Sequence, residues 1–525
     1  MAEEAETGPK RRPDGLWDVG PATAVADDQL VGVELDGQKV LLARSGGLIL
    51  AVAGTCPHAG APLAEGVRCG DRVICPWHKA SFDLRSGAVV EPPAVDALPH
   101  YPTRIEAGRI IVSLQAMPAP EPQAAHDDRC FVILGAGAAG QSAAQTLREE
   151  GFGGRLVMVS HEAELPYDRT VLSKYKLSGE PGAEKSPLHE AEFYERHRIE
   201  RRRAEIVEVD ATSATVHFAD GTSLTYDAAL LATGGIPKTP KRPGIGLRGV
   251  FVLRTAADAD AILAAAKQAK RAVVVGAGFI SMEVAASLRE RGLEVTVVMP
   301  GATPFEKPLG PTIGAVFARL HQKQGIVLRA REEVAAFEGD SAVTAVRLVS
   351  GEHLPADLVV IGGGISPATG MLRGVTLRED GGVPVDRHLR AADRLWAAGD
   401  VAAFPLYGDG EPIRVEHWRV AQQHGRHAAL GMLGREAPYV SVPVFWTIHF
   451  LKRLDYVGHA REWDDIVVDG DLEKPEFIAL YVKAGRVDAV IGWDRDKDVA
   501  RAICLFEERR EWQSGPFLAA LAEGR

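Results

Sequence analysis

Cys130-Phe-Val-Ile-Leu-Gly135-Ala-Gly137-Ala-Ala-Gly140 runs five apolar side chains straight into a Gly-x-Gly-x-x-Gly turn. A short apolar run ended by glycines predicts a buried strand, and the spacing of Ala143, Ala144 and Leu147 predicts a helix directly after it. Arg155-Leu-Val-Met-Val then reads as a second strand and completes a βαβ unit. Backbone amides at the start of such a helix can cradle a pyrophosphate. Glu162 stands about twenty residues beyond the glycines, where an acid can bond a ribose hydroxyl. Close helix packing alone can select glycines, but strand, helix and acid together favour a dinucleotide site at Gly135, Gly137, Gly140 and Glu162.

The same grammar returns at Arg271-Ala-Val-Val-Val, followed by Gly276-Ala-Gly278-Phe-Ile-Ser281, the helical residues Val284, Ala285 and Leu288, and the strand Glu294-Val-Thr-Val-Val. Ser281 in the third glycine position tightens the helix-to-strand packing without forbidding it. Two nucleotide-binding folds are therefore expected in tandem. Met299 and Pro300 end the second strand of the second unit, where an acid would favour NAD and a nearby arginine NADP, so the choice between them stays open.

Ahead of these units, Leu16 to Leu114 shows short apolar stretches such as Val40-Leu-Leu-Ala between Gly, Asp and Pro turns, the texture of a small all-β domain. It contains Cys56-Pro-His58 and, after sixteen intervening residues, Cys75-Pro-Trp-His78. A Rieske [2Fe-2S] centre takes two thiolates on one iron and two imidazoles on the other, and each loop offers one of each. Pro57 and Pro76 stiffen the loops, and Gly60 and Gly87 permit tight turns. A tetrahedral zinc site on the same four residues, or a metal-free core, are the alternatives.

The chain has 525 residues, 46% apolar and 25% charged, ample for several packed cores. A formal net charge of −11 argues against nucleic acid as partner, and Arg201-Arg202-Arg203 reads as a solvated turn. No apolar run approaches the ~18 residues of a membrane span. The start, Met1-Ala-Glu-Glu-Ala-Glu, has no apolar stretch after its charges, so the expected location is cytoplasmic. Five cysteines are too few and scattered for a disulfide framework. Pro118, Pro120 and Pro122 mark an extended linker, and past Val440 strands such as Asp465-Ile-Val-Val and Phe477-Ile-Ala-Leu-Tyr-Val, with a helix from Asp498, indicate an α+β domain.

The first 115 residues or so resemble Rieske domains of the ferredoxin type, with Cys56, His58, Cys75 and His78 on the ligand positions. Ala61 and Trp77 stand where respiratory Rieske proteins have a disulfide, which implies a low-potential cluster. Lys79 replaces a glycine common in that group, and Cys69, outside both loops, is expected to be structural.

From Asp128 on, Leu165-Pro-Tyr-Asp-Arg169, Leu172-Ser-Lys174, Leu231-Ala-Thr-Gly-Gly235, Trp396-Ala-Ala-Gly-Asp400 and Glu416-His-Trp418 resemble the pyridine-nucleotide reductases of the ferredoxin-reductase and apoptosis-inducing-factor group. That resemblance implies FAD contacted by Arg169 and Lys174, a ribityl chain held by Asp400, and Trp418 beside the isoalloxazine, with Gly364 and Gly399 among the cofactor-binding residues. It further implies a Lys174–Glu283 pair tuning the hydride-transfer site, a surface salt bridge being the plainer reading.

The expected architecture is multidomain: an all-β Rieske domain at 14–116, a linker at 117–128, two α/β three-layer, glutathione-reductase-like folds binding FAD (129–250 and 375–438) and NAD(P) (251–374), and an α+β C-terminal interface domain at 439–525. No Cys-x-x-Cys lies near the flavin motifs, which argues against a dithiol mechanism. The leading expectation is an enzyme passing electrons from NAD(P)H through FAD to its own cluster and on to an oxygenase, cytochrome or small ferredoxin. The rivals are an NAD(P)H-sensing signalling protein and a flavin oxidase with a docking Rieske module. Trp446, Trp463 and Trp493 are candidates for covering the flavin, for a homodimer contact, or for plain core.

Overall fold

The computed structural model describes residues 8–118, 126–179, 187–474 and 476–523, so positions 119–125 of the proline-rich linker lie outside the described residues. The N-terminal part is built on the antiparallel strands Leu30–Leu35, Gln38–Ser45 and Leu48–Ala53. Side chains alternate across a strand. In Gln38–Ser45, Val40 and Leu42 therefore pack with Ile110 and Val112 on one face, while Leu41 and Ala43 pack with Cys56, Leu63 and Cys75 on the other. A sheet of three-residue strands, Val67–Cys69, Arg72–Ile74, Ser81–Asp83 and Val89–Glu91, closes this second face.

Both glycine turns fall at the carboxyl ends of parallel strands, as the sequence predicts. Cys130–Leu134 lies between Arg155–Ser160 and Ala228–Leu231 in a six-stranded sheet, and helix Ala138–Glu149 follows it. Arg271–Val275 lies between Glu294–Met299 and Leu358–Ile361 in a five-stranded sheet, with helix Phe279–Glu290 following. Arg201-Arg202-Arg203 is a correction: it belongs to an edge strand, Ile199–Arg203, and not to a turn. A guanidinium can stack on an aromatic face, which a reading by charge alone overlooks. Arg202 lies 3.7 Å above the Phe218 ring and Arg201 5.1 Å above Tyr194.

The C-terminal part is a five-stranded antiparallel sheet, Val444–His449, Lys452–Gly458, Asp465–Asp471, Glu476–Lys483 and Arg486–Trp493, with helices Asp496–Glu507 and Ser514–Ala522. One face packs on those helices through Ile478, Leu480 and Val490. The other shares a core with the second nucleotide fold, where Tyr456, Phe477 and Trp493 meet Ala285, Leu288 and Phe317. Trp493 is a fully buried core residue, and Trp463, half-buried, packs against the same core, edge-on to Tyr481 at 4.9 Å. Among the described residues no helix is long and apolar enough to cross a membrane.

Helix Trp418–Met432 crosses helix Ala138–Glu149 at Gly425, where a Cβ would stand 2.1 Å from the Ala139 carbonyl oxygen. Gly425→Ala is expected to force the helices apart and destabilise this region by about 1–3 kcal/mol, seen as a lowered thermal unfolding midpoint.

Candidate cofactor cavity and cluster site

The glycines of the two turns divide by what a side chain would meet. At Gly135, Gly140 and Gly276 a Cβ would fall 2.2, 1.8 and 2.4 Å from the carbonyl oxygens of Ala232, Gly135 and Gly362, so these three are required by backbone packing. At Gly137 and Gly278 a Cβ would meet nothing within 4 Å. The open space over the start of each helix is what a pyrophosphate needs. Ser281 keeps the close approach by bonding its hydroxyl to the Gly362 carbonyl at 3.4 Å.

Both turns face one cavity of about 370 Å³. Gly137, Arg169, Lys174, Gly278, Ser281, Glu283, Gly364, Gly399, Asp400 and Trp418 all line it. Gly135, Gly140, Glu162 and Gly276 do not. Glu162 accepts hydrogen bonds from the Tyr167 hydroxyl at 2.7 Å and from Arg169. Asp400 pairs with Arg254 at 3.0 Å.

Lys174 and Glu283 form an ion pair at 3.1 Å with side-chain exposures of 6% and 2%, so the surface-bridge reading fails. Removing both ions from water is tolerable only when the remaining lone pairs are met. Ser173 donates to the same carboxylate oxygen as Lys174, and the Thr447 hydroxyl donates to the other at 2.6 Å. Thr447 is in turn 2.9 Å from His449 Nε2. Burial holds the His449 pKa well down, which keeps the ring neutral. Nothing in the sequence pattern points to Thr447 or His449 as partners of Glu283.

The two ligand loops are built alike. The Cys56 N–H bonds to the Ala61 carbonyl at 2.9 Å and the Cys75 N–H to the Ala80 carbonyl at 2.7 Å. Gly60, fourth after Cys56, has φ +83°, and Lys79, fourth after Cys75, has φ +62°. Lys79 thus holds a glycine's conformation with a side chain attached, a cost of order 1–3 kcal/mol. The compensation is tertiary. Its ammonium is completely buried between Asp455 at 3.1 Å and Asp496 at 3.3 Å, and donates to the Pro76 carbonyl. Arg453 bridges the same two carboxylates. Arg419, also buried, donates to the carbonyls of Pro92 at 2.7 Å, Lys79 at 3.3 Å and Val442 at 3.4 Å.

His58 Nδ1 and His78 Nδ1 face each other at 3.1 Å. The Cys56 thiol donates to Cys75, which with the backbone N–H groups of Trp77 and His78 holds Cys75 down at about 7, toward the thiolate that a metal requires. The ligands therefore form a sulfur pair and a nitrogen pair. Among the described residues no three His, Cys, Asp or Glu side chains converge on one ion. Two irons with two protein ligands each fit this arrangement, whereas zinc needs all four together. The His78 ring packs on Trp446 at 4.9 Å between centroids, and the same tryptophan lines the cavity.

Gly137→Val is expected to leave the fold and the cluster absorbance intact while the protein purifies without flavin; full flavin content would mean that this turn does not hold the pyrophosphate. Asp455→Ala leaves the buried Lys79 and the half-buried Arg453 short of a partner and is expected to cost about 3–5 kcal/mol, measured as a lower unfolding midpoint.

Three family models match the chain: a Rieske [2Fe-2S] domain over residues 16–102, a pyridine nucleotide-disulphide oxidoreductase over 130–425, and a reductase C-terminal region over 444–518. The chain is 38% identical over 492 residues to apoptosis-inducing factor 3 of Mus musculus, covering 90% of this chain and 81% of that protein. It is 34% identical over 382 residues to rhodocoxin reductase of Rhodococcus erythropolis, covering 72% and 90%. The crystal structure of the ferredoxin reductase for the CYP199A2 system of Rhodopseudomonas palustris superimposes with a TM-score of 0.70 at 29% identity, over 74% of this chain and 96% of that one. The chain belongs to the pyridine nucleotide-disulphide oxidoreductase family, as a ferredoxin-reductase-like, FAD-dependent NAD(P)H oxidoreductase that carries its own Rieske [2Fe-2S] domain.

Proposed function

We propose that this enzyme passes electrons from NAD(P)H, by way of its flavin, to the Rieske cluster of its own N-terminal domain, and from there to an external acceptor protein such as an oxygenase or small ferredoxin. The position of Trp446 carries this reading: one indole lines the cavity of the two glycine turns and packs on His78, with His58 6.4 Å away between centroids. Bound FAD supplies two-electron acceptance of a hydride and one-electron release, and the [2Fe-2S] cluster takes electrons one at a time.

What the chain itself contributes is binding, orientation and exclusion of water. The amides beyond Gly137 and Gly278 hold the two dinucleotides so that both reach one space. Lys174 presents a positive charge there, held in place by Glu283, whose carboxylate Ser173 and Thr447 fix in turn. Phe279, His417 and Phe445 form an aromatic wall, His417 stacking on Phe445 at 4.0 Å, and burial lowers the His417 pKa so that the wall stays uncharged. Among the described residues no cysteine lines the cavity.

Anaerobic mixing of cluster-loaded protein with NADH, and separately with NADPH, tests the path by stopped-flow absorbance. Fast flavin bleaching followed by loss of the oxidised Rieske bands is expected. A cluster that stays oxidised beside fully reduced flavin overturns the internal path and favours the signalling or oxidase alternatives. In the same experiment Trp446→Ala is expected to slow the cluster phase at least tenfold, about 1.4 kcal/mol of barrier, and to leave flavin bleaching within twofold of the parent.

A further inference from the structure

Two cysteines that no cofactor claims lie across the seam between the Rieske domain and the C-terminal domain. Cys69 ends the strand Val67–Cys69, which packs on helix Asp496–Glu507, the helix that carries Cys504. Glu507 is three residues beyond Cys504 and so lies on the same helix face. Its Oε2 is 3.9 Å from the Cys69 sulfur. Arg72 pairs with Glu507 and brings Nη2 to 3.6 Å of the same sulfur. That register sets Cys504 beside Cys69 on one apolar seam, with the Cys504 sulfur 3.7 Å from the Ala500 carbonyl of its own helix. Both are free, half-buried, and at the rim of one apolar cluster with Val67 and Phe506.

The chemistry of the pair is unequal. Cys69 is held below the ordinary thiol value, first by its Cys504 neighbour and also by Arg72, against burial and the Glu507 carboxylate, while Cys504 is pushed up. Arg72, 3.6 Å from the Cys69 sulfur, favours reaction there as thiolate and leaves Cys504 to resolve. We propose that Cys69 and Cys504 form a redox-modification site, in which hydroperoxide-class oxidants convert two thiols into a disulfide joining the Rieske domain to the C-terminal domain. The Cys69 thiolate attacks one peroxide oxygen and the O–O bond breaks, giving a sulfenic acid and hydroxide. The Cys504 sulfur then displaces the sulfenic oxygen, which leaves as water. Two thiols lose two electrons, and one hydrogen peroxide becomes two waters.

The test uses the full-length, cluster- and flavin-loaded protein, treated with hydrogen peroxide, alkylated with N-ethylmaleimide and run on a non-reducing denaturing gel. A bond between positions 69 and 504 closes most of the chain into a loop, so a faster band that dithiothreitol removes is expected. That band disappears in Cys69→Ser and in Cys504→Ser, whose retained cluster and flavin absorbance reports that they fold. Mass spectrometry of the band should yield a linked peptide pair containing both residues. Full alkylation of Cys69 and Cys504 after peroxide, or a linked pair joining Cys56 to Cys75 instead, overturns the proposal.

Discussion

Arg419 is the constraint on which the arrangement of the parts depends. It follows Trp418 at the start of the helix that crosses the first glycine-turn helix, and its guanidinium is withdrawn from water. A buried guanidinium must find acceptors or it destabilises the fold by several kcal/mol. The acceptors it finds are carbonyls of the Rieske domain, at Pro92 and Lys79, and of the C-terminal segment, at Val442, with the Glu91 carboxylate 3.7 Å away. One side chain therefore fixes three parts of the chain at a point next to the cavity. Lys79, whose carbonyl Arg419 engages, sends its own ammonium the other way, to Asp455 and Asp496. Together these buried charges explain why a cluster loop and a nucleotide cavity share the single tryptophan between them.

The fold was legible where the constraint is local. Strand, glycine turn and helix are set by neighbours in sequence, and the division of labour between Gly135 and Gly137 follows from the same backbone path. The two loops that carry the candidate metal ligands were legible for a similar reason, since each is a closed turn six residues long, from Cys56 to Ala61 and from Cys75 to Ala80. Lys79 shows the limit. As a sequence feature it is only a departure from glycine, because the carboxylates that explain it lie 376 and 417 residues away. Thr447 and His449 were invisible on the same ground, Thr447 being 164 residues from Glu283. Trp446 sits in an apolar run that reads as core, and only the sheet's placement beside both sites gives it a different neighbourhood. The arginine run failed as a turn because charge was weighted above the stacking of its guanidinium groups on Tyr194 and Phe218.

The buried carboxylate Glu283 illustrates how polar groups persist in an apolar core. Its two oxygens are met from three directions: Ser173 and Lys174 on the π-helical turn Leu172–Lys176, and Thr447 on the first C-terminal strand. Each partner comes from a different part of the fold from Glu283 itself. The carboxylate therefore acts as a register mark, since sliding the C-terminal sheet by one residue would remove Thr447 and turn an apolar side chain toward the charge.

The seam held by Lys79 and Arg419 has a kinetic meaning. In a system of separate reductase and ferredoxin, every transfer begins with a diffusional encounter, so its rate rises with protein concentration and falls with salt when charges steer it. Here the ligand loop is seated against the cavity by completely buried contacts. On the proposed path, diffusion would be removed from that step, and dilution would leave the local concentration of the redox partner unchanged.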